Sequence, residues 1–212
     1  MKKEILREIE RHKILAICRN TEPDVLLDAV EAVARGGIRL FEVTFQQDDP
    51  DGIQKTAQEI RMLRKNGPAG IHVGAGTVLT LEQLSAAEEA GAEFFLSPNV
   101  NETVIHSAAD RGLLSIPGAM TPSEVTAAFA AGADIVKLFP AGLLGPAYIR
   151  ALRAPISQVP LMSVGEINAG NFRDYLNAGC MSVGVGSGLM NASLIRERRF
   201  EELTSLARTY AL

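Results

Sequence analysis

One recurring unit limits the fold of this chain more than any other feature. A polar-apolar helical stretch closes on glycine, and a short apolar run follows at once. Gly36-Gly37 precedes the run 38–44, Gly91 precedes 94–97, Gly112 precedes 113–117, Gly132 precedes 134–139, and Gly179 precedes 181–185. Glycine just past a helix end takes the left-handed cap geometry that residues with a Cβ resist. The apolar runs lack strict alternation, which fits strands covered on both faces, as in a parallel sheet wrapped by helices. Runs 14–19, 71–76 and 159–164 bring the number of predicted strands to eight. The intervening helices open on cap-like residues: Thr21 before Pro23, Thr80 with Gln83, Asn101, Thr121 with Glu124, and Asn168.

Eight evenly spaced β-α units with short loops in 212 residues favour an α/β (β/α)8 TIM barrel over an open doubly wound sheet. A single domain over residues 1–212, with an N-terminal helix, is the expected organisation. Apolar residues make up 47% and charged residues 22%, enough for a sizeable core. The net charge of −4 argues against a nucleic-acid partner, and no apolar segment is long enough to span a membrane. Cys18 and Cys180 fall in predicted strands and are expected to be buried thiols. The opening Met1-Lys2-Lys3-Glu4 leads into an amphipathic stretch rather than the apolar core of a signal peptide, so a cytoplasmic protein is expected.

A barrel places its chemistry at the carboxyl ends of its strands. The sixth strand carries Lys137 within Ile135-Val136-Lys137-Leu138-Phe139, and the second carries Glu42 within Leu40-Phe41-Glu42-Val43-Thr44. Burial penalises an ammonium and frees the amine to attack a carbonyl, while a buried carboxyl is raised toward the range of a proton shuttle. The simpler alternatives are a lysine head reaching solvent, or a salt bridge between the two. The runs Gly74-Ala75-Gly76-Thr77-Val78-Leu79 and Gly184-Val185-Gly186-Ser187-Gly188-Leu189 lack the last glycine of a dinucleotide fingerprint, so no nicotinamide or flavin site is expected. Gly186-Ser187, after strand eight, and Gly165-Glu166, after strand seven, stand where barrels hold phosphate, unless these glycines serve packing alone. His12, His72 and His106 share no ligand spacing, and His12 and His106 fall on helices expected to face outward; no metal is expected.

With these residues in view, the chain resembles the 2-keto-3-deoxy-6-phosphogluconate (KDPG) / 4-hydroxy-2-oxoglutarate (KHG) aldolase family of class I aldolases nearly end to end. The likeness rests on Phe41-Glu42-Val43-Thr44, Gly74-Ala75-Gly76-Thr77-Val78, Ser97-Pro98-Asn99, Ile116-Pro117-Gly118, Met120-Thr121-Pro122, Lys137-Leu138-Phe139-Pro140 and Gly184-Val185-Gly186-Ser187. It implies Lys137 as the Schiff-base lysine and Glu42 as the general acid/base. Thr77 and Phe139 would line the pyruvyl pocket, Pro98 and Pro117 its walls, and Arg19 would lie near the substrate. Gly165, Gly186 and Ser187 would hold a distal phosphate. A homotrimer acting on a 2-keto acid to give pyruvate, without metal or other cofactor, is also implied.

Two positions depart from the family pattern. Gln46 stands where some members place an arginine for the pyruvate carboxylate. Glu166 replaces the second of two glycines, where a carboxylate facing inward would repel a phosphate. Three alternatives follow: the sister activity on 2-keto-3-deoxy-6-phosphogalactonate or an unphosphorylated keto acid, a non-catalytic ligand-binding barrel, and a phosphosugar isomerase barrel needing no imine.

Overall fold

The computed structural model describes residues 2–212. Helix α1 (Lys2–His12) leads into β1 (Ile14–Cys18), and β2 (Leu40–Thr44), β3 (His72–Gly76) and β4 (Phe94–Leu96) follow. Next come β5 (Leu114–Ile116), β6 (Gly118–Ala119), β7 (Val136–Leu138), β8 (Leu161–Val164) and β9 (Ser182–Val185). Every pairing is parallel, in the order β5-β4-β3-β2-β1-β9-β8-β7-β6.

The two ends of that series are separated in sequence by Pro117 alone. They are halves of one bent stave, the first pairing with β4 and the second with β7. The continuous fifth strand expected over 113–117 is therefore broken. Proline has no N–H to give the ladder and accepts only a bulge or an edge. The Pro117 carbonyl still accepts from Lys137 N at 2.9 Å. Nine segments thus supply the eight expected staves, and the barrel is completed around Pro117.

The strands' two-residue period sorts side chains between two cores. Leu15, Ile17, Leu40, Phe94, Leu96, Leu114, Ile116, Ile135, Met162 and Val164 fill the barrel, and Ile5 and Ile9 of α1 join them from below. The alternate residues, among them Ala16, Phe41, Val43, Val73, Val136 and Leu138, pack outward against the helices. Asp134 ties the plug down: its carboxylate accepts from Ser115 N at 2.9 Å and pairs with Lys2 at 3.1 Å.

Gly37, Gly91, Gly112, Gly132 and Gly179 all take positive φ, between 72° and 112°, as the repeated helix-to-strand unit requires. The capping boxes at Thr80/Gln83 and Thr121/Glu124 form, and Asn101 caps α5 (Glu102–Asp110). Two expected caps do not. Glu22, not Thr21, precedes α2 (Pro23–Arg35), with no side-chain cap. α8 (Phe172–Asn177) starts beyond Asn168, whose carboxamide oxygen instead accepts from Gly170 N within the loop. The helix of His12 is another correction: α1 packs on the inner core through Ile5 and Ile9 instead of joining the outer layer, and His12 at its end is partly buried, 3.1 Å from Glu8. Among the described residues no helix is long and apolar enough to cross a membrane.

Candidate active site

Parity decides where the two ionisable strand residues point. Glu42 is two residues beyond Leu40, and Lys137 two beyond Ile135, so both share the inward face of the inner core. Both are buried, at 1% and 5% exposure. Gly76, across β3, makes the room: a Cβ there would sit 1.7 Å from Glu42 Oε1. Gly74, one pleat below, leaves space for the Phe94 ring in the same way.

Glu42 Oε1 accepts a hydrogen bond from the Thr44 hydroxyl at 3.4 Å, while Oε2 has no hydrogen-bond partner. Neither oxygen is hydrogen-bonded to Lys137, so the inert salt bridge is not what the structure contains. Burial pushes the Glu42 carboxyl above its ordinary range, opposed by Lys137, Arg19 and the Thr44 hydroxyl. Burial lowers Lys137, which Glu42 opposes and Arg19 reinforces. Both shifts favour a neutral amine beside a protonatable carboxyl. The two thiols are no rivals as nucleophiles: burial raises both, Cys180 to about 11.

A cavity of about 500 Å³, lined by Arg19, Thr44, Gln46, Gln47 and Thr77, opens beside the end of β2; neither Glu42 nor Lys137 lines it. Arg19 and Asn20 also line a second cavity of about 400 Å³ that runs toward Met190 and Arg196. Phe139, exposed at 38%, sits with its ring centroid 5.0 Å from Lys137 Nζ. The backbone of Pro98 lies so close to Gly118 that a Cβ there would meet the Pro98 carbonyl carbon at 2.4 Å. Pro117 is buried within the bent stave.

Gly165 and Glu166 follow β8, and Gly186 and Ser187 follow β9, so these four stand side by side on neighbouring staves. They line neither cavity. Gly165 and Glu166 both hold positive φ, 104° and 56°, so Glu166 keeps a conformation that glycine adopts freely. Its side chain is exposed and folds over Gly142, where a Cβ would lie 2.7 Å from Glu166 Oε2. That places the carboxylate over the first turn of the helix that follows β7, Ala141–Arg153. The Gly186 carbonyl accepts from Leu189 N and Met190 N. Among the described residues no three His, Cys, Asp or Glu side chains converge as a metal cluster.

Sequence reasoning missed Thr44, Gln47 and the space-making roles of Gly76 and Gly142. Gly76 carried a signal, since glycine inside a strand marks a close approach. Gln47 carried none, because its partners lie 30 and 36 residues away.

The architecture is that of a parallel eight-stave β/α barrel whose inner face carries a buried lysine and a buried carboxyl group near the carboxyl ends of its strands. The model of the KDPG and KHG aldolase family matches residues 4–206, and the chain belongs to that family. A probable 2-dehydro-3-deoxy-6-phosphogalactonate aldolase of Rhizobium meliloti is 37% identical, over 93% of this chain and 92% of its own length. A 2-dehydro-3-deoxy-phosphogluconate aldolase of Haemophilus influenzae is 31% identical over 97% and 94%. The crystal structure of KDPG aldolase from Legionella pneumophila, with pyruvate captured as a covalent carbinolamine, superposes with a TM-score of 0.84. It is 27% identical and covers 95% of both chains.

Proposed function

We propose that the chain cleaves a 4-hydroxy-2-keto acid to pyruvate and an aldehyde through a Schiff base on Lys137. The observation that carries this reading is the placement of Lys137 and Glu42. Both are buried on the inner face at the mouth of one barrel, and one carboxylate oxygen is free of protein partners. The neutral amine of Lys137 adds to the C2 ketone and gives a carbinolamine. Glu42 moves the protons that let hydroxide leave as water, forming an iminium. The C4 hydroxyl loses its proton, the C3–C4 bond breaks, and its electron pair flows into the iminium to give an enamine and a free aldehyde. Protonation at C3 and addition of water return pyruvate and the amine. The imine itself is the electron sink, so the reading calls for no metal or other cofactor.

Thr77 and Phe139 line the pyruvyl end in this reading, with Arg19 and Gln46 at the mouth and Pro98 as a wall. Gly165, Gly186, Ser187 and the backbone of Glu166 face the distal group. The Legionella enzyme's trapped pyruvate supports the covalent route. A second reading of the substrate, the 6-phosphogalactonate branch, is favoured by the name carried by the Rhizobium relative. We further infer a cytoplasmic homotrimer; among the exposed large apolar side chains, Met120, Phe129 and Leu143 offer surface for self-association.

The test is borohydride reduction in the presence of pyruvate, followed by peptide mapping. One adduct on Lys137 is expected, and Lys137→Ala should abolish it. Turnover should then fall by more than about 10⁴-fold, a modest share of the accelerations enzymes reach. An adduct persisting in Lys137→Ala would overturn the assignment. A panel of phosphorylated gluconate- and galactonate-type keto acids and unphosphorylated ones separates the substrate readings.

A further inference from the structure

Resting on the placement of Thr77 at the keto-acid end of the site, we infer that Gln47 and Gln83 are positioning residues that hold Thr77 in its substrate-binding conformation. Thr77 directly follows β3 and holds φ 56°. A β-branched residue is an outlier in that left-handed region and persists only where its surroundings enforce it. The enforcement is visible. Gln47 Nε2 donates to the Thr77 carbonyl at 3.0 Å and to the Phe45 carbonyl at 3.3 Å. The carboxamide oxygen of Gln47 accepts in turn from Gln83 Nε2 at 3.0 Å.

The direction of this relay is fixed at its far end. Gln83 Oε1 accepts from Leu79 N at 2.7 Å and from Thr80 N at 3.3 Å, as the side-chain half of the capping box on α4 (Leu81–Glu89). Two N–H donors can be met only by the carboxamide oxygen, so the Gln83 amino group must face Gln47. Gln47 must then present its oxygen to Gln83 and its amino group to Thr77. Gln83 is buried, at 5% exposure. Gln47 lies on the loop that follows the Glu42 strand and lines the same cavity as Thr77, Thr44 and Arg19. The relay therefore couples the loop after β2 to the loop after β3, across the pyruvyl end of the mouth.

Gln83→Glu is the sharpest variant, because a carboxylate still accepts from Leu79 N and Thr80 N and the cap survives. It has no proton for Gln47, whose amide must rotate to donate to the carboxylate and turn its oxygen toward the Thr77 carbonyl. Gln47→Leu breaks the same relay at an exposed position where folding is not at stake. The measurement is the pyruvate concentration that half-saturates borohydride-trapped Lys137 adduct, alongside KM, kcat and Tm. Both variants should raise half-saturation and KM about three- to tenfold, the loss of one neutral hydrogen bond. The value of kcat should stay within about twofold and Tm near native. The double variant should be no worse than the poorer single one, since the relay acts as a unit. Native-like half-saturation in both variants, with the native protein trapping pyruvate normally, would overturn the positioning role alone. A native protein that traps no pyruvate would instead remove the Schiff-base reading, and this inference with it.

Discussion

The two ends of the barrel treat buried charge in opposite ways. At the amino end, Asp134 is met by Ser115 N, the Ser115 hydroxyl and Lys2, and Ile5 and Ile9 seal the floor. At the carboxyl end, Glu42 keeps one oxygen without a partner and Lys137 sits beside it unpaired. Both ends lie on the same staves: Asp134 and Lys137 are three residues apart. A satisfied carboxylate holds structure together, whereas an unsatisfied one beside a desolvated amine is poised to exchange protons. The same strands therefore divide stability from chemistry along their length.

The strongest way to break this contrast is at the mouth. Glu42→Gln keeps the shape and removes the proton shuttle, so kcat should fall by about 10²–10⁴-fold. Because the native side chain is buried with an oxygen unpartnered, folding stability should not suffer. Near-native turnover, measured as pyruvate release, would assign the protons to another group and make Glu42 structural. At the opposite end the effects should trade places. Asp134→Asn weakens charge-assisted bonds to Lys2 and the strand backbone, with an expected loss of about 1–2 kcal/mol in urea unfolding and kcat within twofold of native. A collapse of kcat without loss of stability would mean that the floor and the mouth are not separate.

A smaller effect tests whether uncompensated charge extends into the outer layer. Glu59, on α3 (Gly52–Asn66), is held up to about 7 by partial burial and then by the nearby Glu22. Its folded value lies above the ordinary 4.5, so its favourable contribution is complete below pH 4.5 and is lost as pH rises through about 7. Glu59→Gln should match native stability near pH 4.5 and exceed it at pH 8. Partial exposure reduces the gain to about 1 kcal/mol. Parallel thermal unfolding of the two proteins across that range decides the matter; a gain equal at both pH values would rule out the titration.

Much of this division was legible in the amino-acid sequence because it follows from periodicity. Glycines after helices marked the start of five of the eight strands, and an ionisable residue inside an apolar run singled out Lys137 and Glu42. The bend at Pro117 was harder to see, because Ser115-Ile116-Pro117-Gly118 reads as one apolar run until proline's missing N–H is set against a ladder needed on both sides. Thr21 and Asn168 misled for a different reason: a cap depends on where the first helical turn begins, and loop geometry decided that. The Gln47–Gln83 relay was invisible, since it joins two loops through side chains with no shared spacing. Local rules thus recovered the strands and the buried lysine and carboxylate on them, while contacts between loops needed the folded chain.

The finest test of the contrast concerns Glu166, the acidic side chain at the position where the family resemblance leads one to expect glycine. An inward carboxylate would repel a bound phosphate by about 1 kcal/mol at 4 Å in water and about 4 kcal/mol at an effective dielectric of 20. The structure turns it aside: the side chain is exposed, it rests over Gly142, and its charge is felt by Tyr175 on α8. The left-handed backbone that a glycine would supply is retained at φ 56°, so the loop's path is kept and only the carboxylate is added. Glu166→Gly should consequently change kcat/KM for a 6-phospho keto acid relative to its unphosphorylated analogue by less than about fivefold, or roughly 1 kcal/mol. A selective gain of about 50-fold or more for the phosphorylated substrate would mean that the carboxylate swings from Gly142 into the distal pocket. The substrate would then be one without phosphate, and Gly142→Ala, which evicts the side chain from its resting place, should lower activity on phosphorylated substrates further.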